Sequence, residues 1–538
     1  MTTGNGSVAL QDLRAIRAAL GQAQGKRKLD LILSAPDPRV LVRALPPQEL
    51  YLTILDIGME DSAELVAMAS PAQFIHFLDA GCWPKRDAPP DPRKLLKWLT
   101  LARQGASMGD NGTRRFREKL AAIDAELFSL LLRFELTVHE LDENEDQPDT
   151  APGSSWITPD RRYMVEIRED GAGYATLKRL LDDLTEQDPF MVSRTLEAIR
   201  WDVPTELEEV ARRWRNGRLR DLGVPEFEEA LGFVARPHRT RNQPPMDAER
   251  ESARDHASTA LEVAGDAPLL LDRAVMRLSG DDLDHAEQAV AYAANASLVA
   301  WGTALDDSFE VRRVLTDARS TLSLGLELLS GGDEALASRA LAEKPVRDIF
   351  QLAMGQLYRL QTRARAAAAA ARLPETQTAT VLEPPYALLI DALLATPPAL
   401  DGVDEWAKQR VGKVQRSHAP ATRREVAAAD ALLDEAETLG ALLGGLGLSA
   451  AALRVAADEA NLSASAVRAS DALRAAALCE LRGVPFSMKD LPDRGASHPE
   501  GFAARLDVLL EKALAAVPAP QQEAARRLGA ALRKRAGA

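Results

Sequence analysis

The sequence predicts an all-α protein with one small β-hairpin, in which short stacked helical hairpins precede a bundle of longer helices. Three observations carry that expectation. Alanine, leucine, arginine and glutamate dominate a chain with only 5% aromatic residues, and these side chains lose little freedom in a helix. Prolines preceded by an acidic residue, a hydroxyl or another proline head short apolar-periodic runs at Asp37-Pro38, Pro46-Pro47, Ser70-Pro71 and Asp188-Pro189. Convincing strand alternation is confined to one short stretch, Tyr163-Met-Val-Glu-Ile167.

Taken in order, residues 1–28 form an N-terminal tail or helix, and residues 29–145 a short-helix repeat region. Proline suits the first helical position, where its missing N–H has no partner to lose, and Asp or Ser before it caps the free amides that follow. The segment Leu41-Val-Arg-Ala-Leu-Pro-Pro-Gln-Glu-Leu50, ending in Leu55-Asp-Ile-Gly58, is echoed about 24 residues on by Leu65-Val-Ala-Met-Ala-Ser-Pro-Ala-Gln-Phe74, ending in Leu78-Asp-Ala-Gly81. Each copy reads as a helix end, a proline restart and a closing glycine in the left-handed region. Such a hairpin is too short to bury its apolar face alone and must stack on its neighbours.

Residues 146–173 read as an acidic and Pro/Gly-rich loop running into a hairpin of Trp156-Ile157 and Tyr163–Ile167, turned at Pro159-Asp160. A helical segment rich in Arg and Trp follows at 174–245, broken by the prolines from Pro237 to Pro245. The remainder, 246–538, reads as a domain of long helices, 12 to 28 residues each, packed as a bundle. At 538 residues the chain calls for two to four domains or an extended helical array.

The repeat carried by Leu45-Pro-Pro-Gln-Glu-Leu50 and Ala69-Ser-Pro-Ala-Gln-Phe74 resembles the cytoplasmic N-terminal domain of MgtE magnesium transporters and short-helix segments of the flagellar protein FliG. In the transporter domain acidic residues help bind magnesium, but no motif here carries those ligands over. A longer resemblance rests on Leu45–Tyr51, on Leu180-Leu-Asp-Asp-Leu-Thr-Glu-Gln-Asp-Pro-Phe190, on Arg212-Arg-Trp-Arg-Asn-Gly-Arg-Leu-Arg-Asp-Leu-Gly223 and on Leu324-Gly-Leu-Glu-Leu-Leu329. Together these look like a bacterial family of helical proteins of unknown function, matching across most of the chain. That resemblance implies a single unit and no particular activity.

Charge and motif content narrow the function. A net charge of −14 disfavours attraction to phosphate backbones, so no nucleic-acid partner is expected. The arginines within 359–372 read as a solvated helix face. No apolar stretch approaches twenty residues and the N-terminus lacks signal-peptide features, which predicts no membrane span and a cytoplasmic location. Only Cys82 and Cys479 occur, which excludes a cysteine-rich metal site or a disulfide framework. Phosphate-binding loops, nucleophile elbows and zinc-protease motifs are missing from the sequence, so no cofactor is implied. Glu135 and His139, four apart, could share a helix face, as could Asp282 and His285, but neither completes a di-iron set. The run Asp142-Glu-Asn-Glu-Asp146 opens like a calcium loop, then fails at Gln147 and Gly153, leaving a loose magnesium site or a solvated linker.

The densest segment, residues 188–223, holds Phe190, Trp201 and Trp214 among seven arginines. Trp and Arg are enriched at binding hot spots, which marks Arg194, Arg200, Trp201, Arg212, Arg213, Trp214, Arg215 and Arg218 as candidate partner-binding residues. The alternative is that the tryptophans are core and the arginines pair with Glu206, Glu208 and Glu209. The expected function is a non-enzymatic cytoplasmic scaffold or adaptor binding a protein partner. Two further expectations stand beside it. One is a helical-bundle enzyme or ligand or metal sensor whose pocket is scattered through the sequence. The other is a homo-oligomer built on the amphipathic helices near 502–517 and 521–535.

Overall fold

A computed structural model describes residues 20, 23, 25–83, 88–106, 111–141, 155–168, 171–235, 269–374, 376, 379–401, 403, 417–489, 491 and 497–536. The chain forms two compact units. Unit 1 holds residues up to Val234 and from Val275 to Thr316; unit 2 holds residues 269–274 and Asp317 onwards. The acidic run at 142–146 and the proline breaker at 237–245 lie outside the described residues.

Unit 1 begins with short helices α1 (Lys26–Leu33), α2 (Pro38–Ala44), α3 (Pro47–Ile57), α4 (Ala63–Met68) and α5 (Pro71–Gly81). Three start at the prolines that announce them. Asp37 accepts from the Val40 amide at 3.0 Å, and Ser70 and Gln73 form a reciprocal capping box. The Gln73 amide also donates to the carbonyls of Val42 and Leu45, both at 2.8 Å, tying one hairpin to the next.

The two closing glycines differ. Gly58 adopts φ 103°, as the left-handed expectation required. Gly81 does not: it lies within α5, and a Cβ there would stand 2.7 Å from Trp98 Nε1 and 3.3 Å from Tyr51 Oη. Its smallness serves packing. Tyr51, Phe77 and Trp98 stack against one another at 5.1–6.1 Å between ring centroids, and only a bare backbone fits beside them.

Helices α6 (Pro92–Ala106), α7 (Gly112–Leu120) and α8 (Ala125–Leu132) follow, then strands β1 (Leu136–Glu140), β2 (Ser155–Ile157) and β3 (Tyr163–Ile167). The expected hairpin is thus two strands of a three-stranded antiparallel sheet ordered β1-β3-β2. Val138 and Trp156 both face Val165 in register from opposite sides, so β3 is central and its Tyr163, Met164, Val165 and Ile167 are buried. The reading of Glu135 and His139 on one helix face is corrected: His139 lies in β1, opposite Met164. Helices α9 (Gly171–Gln187), α10 (Pro189–Trp201), α11 (Pro204–Asp221) and α12 (Phe227–Val234) complete the first stretch. Helix α10 packs on β1 and α8, and α11 on α8 and α5.

Helix α13 (Leu270–Val275) enters unit 2, and α14 (Asp281–Ala300) returns to unit 1 against α12. Helix α15 (Ser308–Ser330) belongs to unit 1 through Thr316 and to unit 2 beyond it. Unit 2 continues through α16 (Glu334–Glu343), α17 (Val346–Ala370), α18 (Tyr386–Leu394), α19 (Arg423–Gly445), α20 (Ala450–Glu459), α21 (Ala469–Arg482), α22 (Phe502–Ala516) and α23 (Gln522–Ala536). Helices α22 and α23 pack on each other and each on both α19 and α21, and α17 lies on α18 and α19. Phe502, Leu506 and Leu510 of α22 and Leu528 and Leu532 of α23 are buried, so the amphipathic C-terminal helices spend their apolar faces inside unit 2.

Arg365 and Arg372 are exposed as the solvated-face reading expects, but Arg359 and Arg363 are not simply solvated. Arg359 meets Asp430 at 2.6 Å, and Arg363 meets Asp430 at 2.6 Å, Asp434 at 2.5 Å and Glu437 at 2.9 Å, all on α19. Among the described residues no single helix is long and apolar enough to cross a membrane. The bent pair α19 and α20 passes that test jointly on length and composition, with its leucines packed in the unit's core.

Candidate functional site

The arginine and tryptophan segment divides three ways in the fold. Arg194, Arg200 and Trp201 lie along a shallow groove or beside it on α10; Trp201 is 67% exposed, with the Arg200 guanidinium 4.7 Å from its ring centre. Arg200 also reaches Glu140 at 3.2 Å. Arg213 and Trp214 face solvent on α11; Arg213 pairs with Glu209 at 3.3 Å and Trp214 is 56% exposed. Arg212, Arg215 and Arg218, three residues apart and so along one side of α11, turn to the C-terminal end of α5.

Those three meet different partners. Arg218 grips the buried Asp79 carboxylate with two bonds of 2.8 Å and reaches Asp124 at 2.7 Å. Burial opposes its charge, yet the hydrogen bonds it donates to two carboxylates hold its pKa above the ordinary arginine value. Arg212 pairs with Glu208 one turn back. Arg215 donates from Nε to the main-chain carbonyl of Asp79 at 2.7 Å and forms no ion pair among the described residues. Arg212 and Arg215 both lie over the indole of Trp83, 5.7 and 5.3 Å from its centre.

Trp83 and Arg215 belong to the wall of a cavity of about 260 Å³ within unit 1. Tyr51 and His76 line it from α3 and α5, Asn216 and Leu219 from α11, Asn295 and Leu298 from α14, and Thr303 and Leu305 from the following turn. Asn295 is fixed by accepting from Gln48 at 3.3 Å and donating to the Gly223 carbonyl at 3.2 Å. Tyr51 Oη and Trp83 Nε1 are buried and have no hydrogen-bond partner among the described residues; the side chains are only 2% and 5% exposed. His76 sets its ring edge-on to Tyr51 at 6.1 Å.

Electrostatics keep these groups as donors. Burial, with Asp306 and Cys82 nearby, pushes the Tyr51 phenol well above its usual range, so it stays protonated. Burial likewise raises the thiol of Cys82, the neighbour of Trp83 in the chain, and keeps it protonated. Burial lowers Arg215 to about 10, with Arg212 and Arg218 pushing the same way and Asp79 opposing, and it is still a cation at neutral pH. Among the described residues no three His, Cys, Asp or Glu side chains gather as a metal site.

A family model described as a family of unknown function matches residues 6–528. The chain belongs to DUF6178. No curated protein and no solved structure matches this DUF6178 chain, so the likeness of its repeat to MgtE and FliG gains nothing from comparison.

Sequence reasoning selected Arg215 and Arg218 but not Tyr51, His76, Asp79 or Trp83. One signal was present in the repeat: both copies carry an aspartate near the helix end, Asp56 and Asp79. Each is a hub for cations, Asp56 for Lys28 at 2.7 Å and for Arg312, and Asp79 for Arg218. An aspartate recurring within an apolar helix end marks a charge that the fold must answer from elsewhere.

Proposed function

We propose that this protein binds a small molecule in the unit 1 cavity. One observation carries the reading: among the described residues, Tyr51 and Trp83 bury polar atoms in the cavity wall without a partner, beside a guanidinium that no carboxylate engages. An unsatisfied buried donor costs about 1–3 kcal/mol, so native structures seldom keep two together without a use. The cavity gathers side chains from Gln48 to Val311, which is the scattered pocket that motif reading cannot find. The two unpaired cysteines support a cytoplasmic setting.

The test is thermal melting of the full chain against a panel of small carboxylates, amines, amides, sugars and nucleotides. At least one class is expected to raise the midpoint, because a ligand that binds only the folded state stabilises it. Trp83→Phe is expected to diminish the rise. A folded chain that no compound stabilises would remove the reading.

A second reading, an adaptor for a protein partner, draws on a different observation. Phe190 is 81% exposed at one end of α10 and Trp201 is exposed at the other, eleven residues on and therefore on the same helix face, with Arg194 between. Crosslinking of wild type and a Phe190→Ala, Trp201→Ala double variant in native lysate checks it; an identical crosslinking pattern from both counts against that face.

A further inference from the structure

We propose that the ligand of this cavity is a small monocarboxylate with a compact apolar body, its carboxylate held by Arg215. The inference rests on the ligand-binding reading and adds the chemical class.

The polar part of the wall is biased towards donors. Trp83 N–H can only donate, Tyr51 is kept as a phenol, and Arg215 has Nη2 without a bond among the described residues. The neighbouring anion is already committed, since both Asp79 oxygens accept from Arg218 and leave Arg215 two neutral acceptors, the Asp79 carbonyl to its Nε and, at 3.5 Å, Asn216 Oδ1 to its Nη1. A cationic ligand would meet this guanidinium as a like charge. A carboxylate takes the free Nη2 and the weakly held Nη1 together and supplies the acceptors that the donors lack.

Acidic groups at the rim limit how much negative charge the ligand carries. Glu226 and Glu228 line the cavity and are exposed, and although Arg220 takes Glu226 at 2.5 Å, Glu228 has no ion pair among the described residues. A phosphate or dicarboxylate would meet repulsion there, whereas a single carboxylate at Arg215 leaves an uncharged body for the rest. That body faces Leu52, Leu219, Leu298, Val299, Leu305 and Val311. A volume near 260 Å³ equals about nine water volumes, which suits an acid of roughly ten heavy atoms.

The experiment is calorimetric titration of the full chain with three probes that share one phenyl body and differ in charge: phenylacetate, phenylacetamide and phenethylamine. Phenylacetate is expected to bind at least tenfold more tightly than the amide, and the amine not at all. Arg215→Lys keeps a cation but loses the planar guanidinium, and is expected to weaken phenylacetate at least tenfold and the amide by much less. Trp83→Phe, which removes the indole N–H together with the fused five-membered ring, keeps Arg215 in place and is expected to weaken the acid several-fold. Equal binding of acid and amide, or an unchanged acid affinity in a folded Arg215→Lys, overturns the carboxylate assignment and leaves ligand binding intact. Failure of the whole chemical panel to stabilise the folded chain overturns both.

Discussion

Unit 1 fills its interior with rings and unit 2 fills its own with alanine. Tyr51, Phe74, Phe77, Trp83, Trp98, Phe116 and Phe128 are buried in the first; in the second the described buried aromatics are Phe350, Tyr386 and Phe502, among many alanines such as Ala353, Ala364, Ala367, Ala472 and Ala477. Rings are large, rigid and tipped with polar atoms, so they pack by stacking and bring O–H and N–H groups into the interior. Alanine faces let helix backbones approach closely and introduce no polar tip, so the polar work in unit 2 falls to ion pairs between helices, as between α17 and α19. The difference explains why the candidate ligand site lies among the rings.

Four substitutions test that contrast, from the largest effect to the smallest. A Cβ on Gly325 would stand 2.1 Å from the main-chain oxygen of Ile349, which cannot rotate away. Gly325→Ala is therefore expected to cost about 3 kcal/mol, with hydrogen exchange accelerated in peptides of α15 and α17. Should those amides stay protected, close backbone approach does not organise unit 2. Gly81→Ala meets a ring instead, Trp98 Nε1 at 2.7 Å, and part of its cost is offset by alanine's better helix propensity. A net loss of about 1–2 kcal/mol is expected by chemical denaturation, with weaker ligand binding; a stabilised variant would show that the ring stack is loose.

Arg363→Met leaves Asp430, Asp434 and Glu437 with one fewer cation, and these are partly exposed. About 1 kcal/mol is expected, shrinking as salt is added; a salt-independent loss would assign the effect to packing. Lys119 is the pH test. Its Nζ donates to the Ala67 carbonyl at 3.2 Å, and burial, helped by Arg43 and Arg115, lowers it to about 8. Between that value and the unfolded value of about 10.4 the unfolded chain holds the extra proton, so raising the pH favours folding at this site. Lys119→Met is thus expected to be the more stable form at pH 7, and its advantage over wild type to shrink from pH 8 to 10. A constant difference in paired melting curves would contradict the assignment.

Features governed by local chemistry were legible in the sequence. Asp37, Ser70 and Asp188 cap helices within three residues of themselves, so reading the chain in short windows was enough. Strand β1 was missed because Leu136-Thr-Val-His-Glu140 is short and follows a helix without a proline or glycine break. Half of the candidate site was visible by residue type, since Arg215 and Arg218 stand in a conspicuous run. Their inward direction was not, because it depends on α11 meeting α5, a contact between residues 79 and 218. Tyr51 and Trp83 were silent for a simpler reason: a ring in an apolar helix or at its end reads as core until its polar tip is found without a partner.

The cavity wall runs from Gln48 on α3 to Val311 on α15, so it closes only after the chain between them has been made and folded. Contacts so distant in sequence are among the slowest to form. During synthesis the early helices therefore lack their far wall, and a nascent chain cannot complete the cavity until Val311 has emerged.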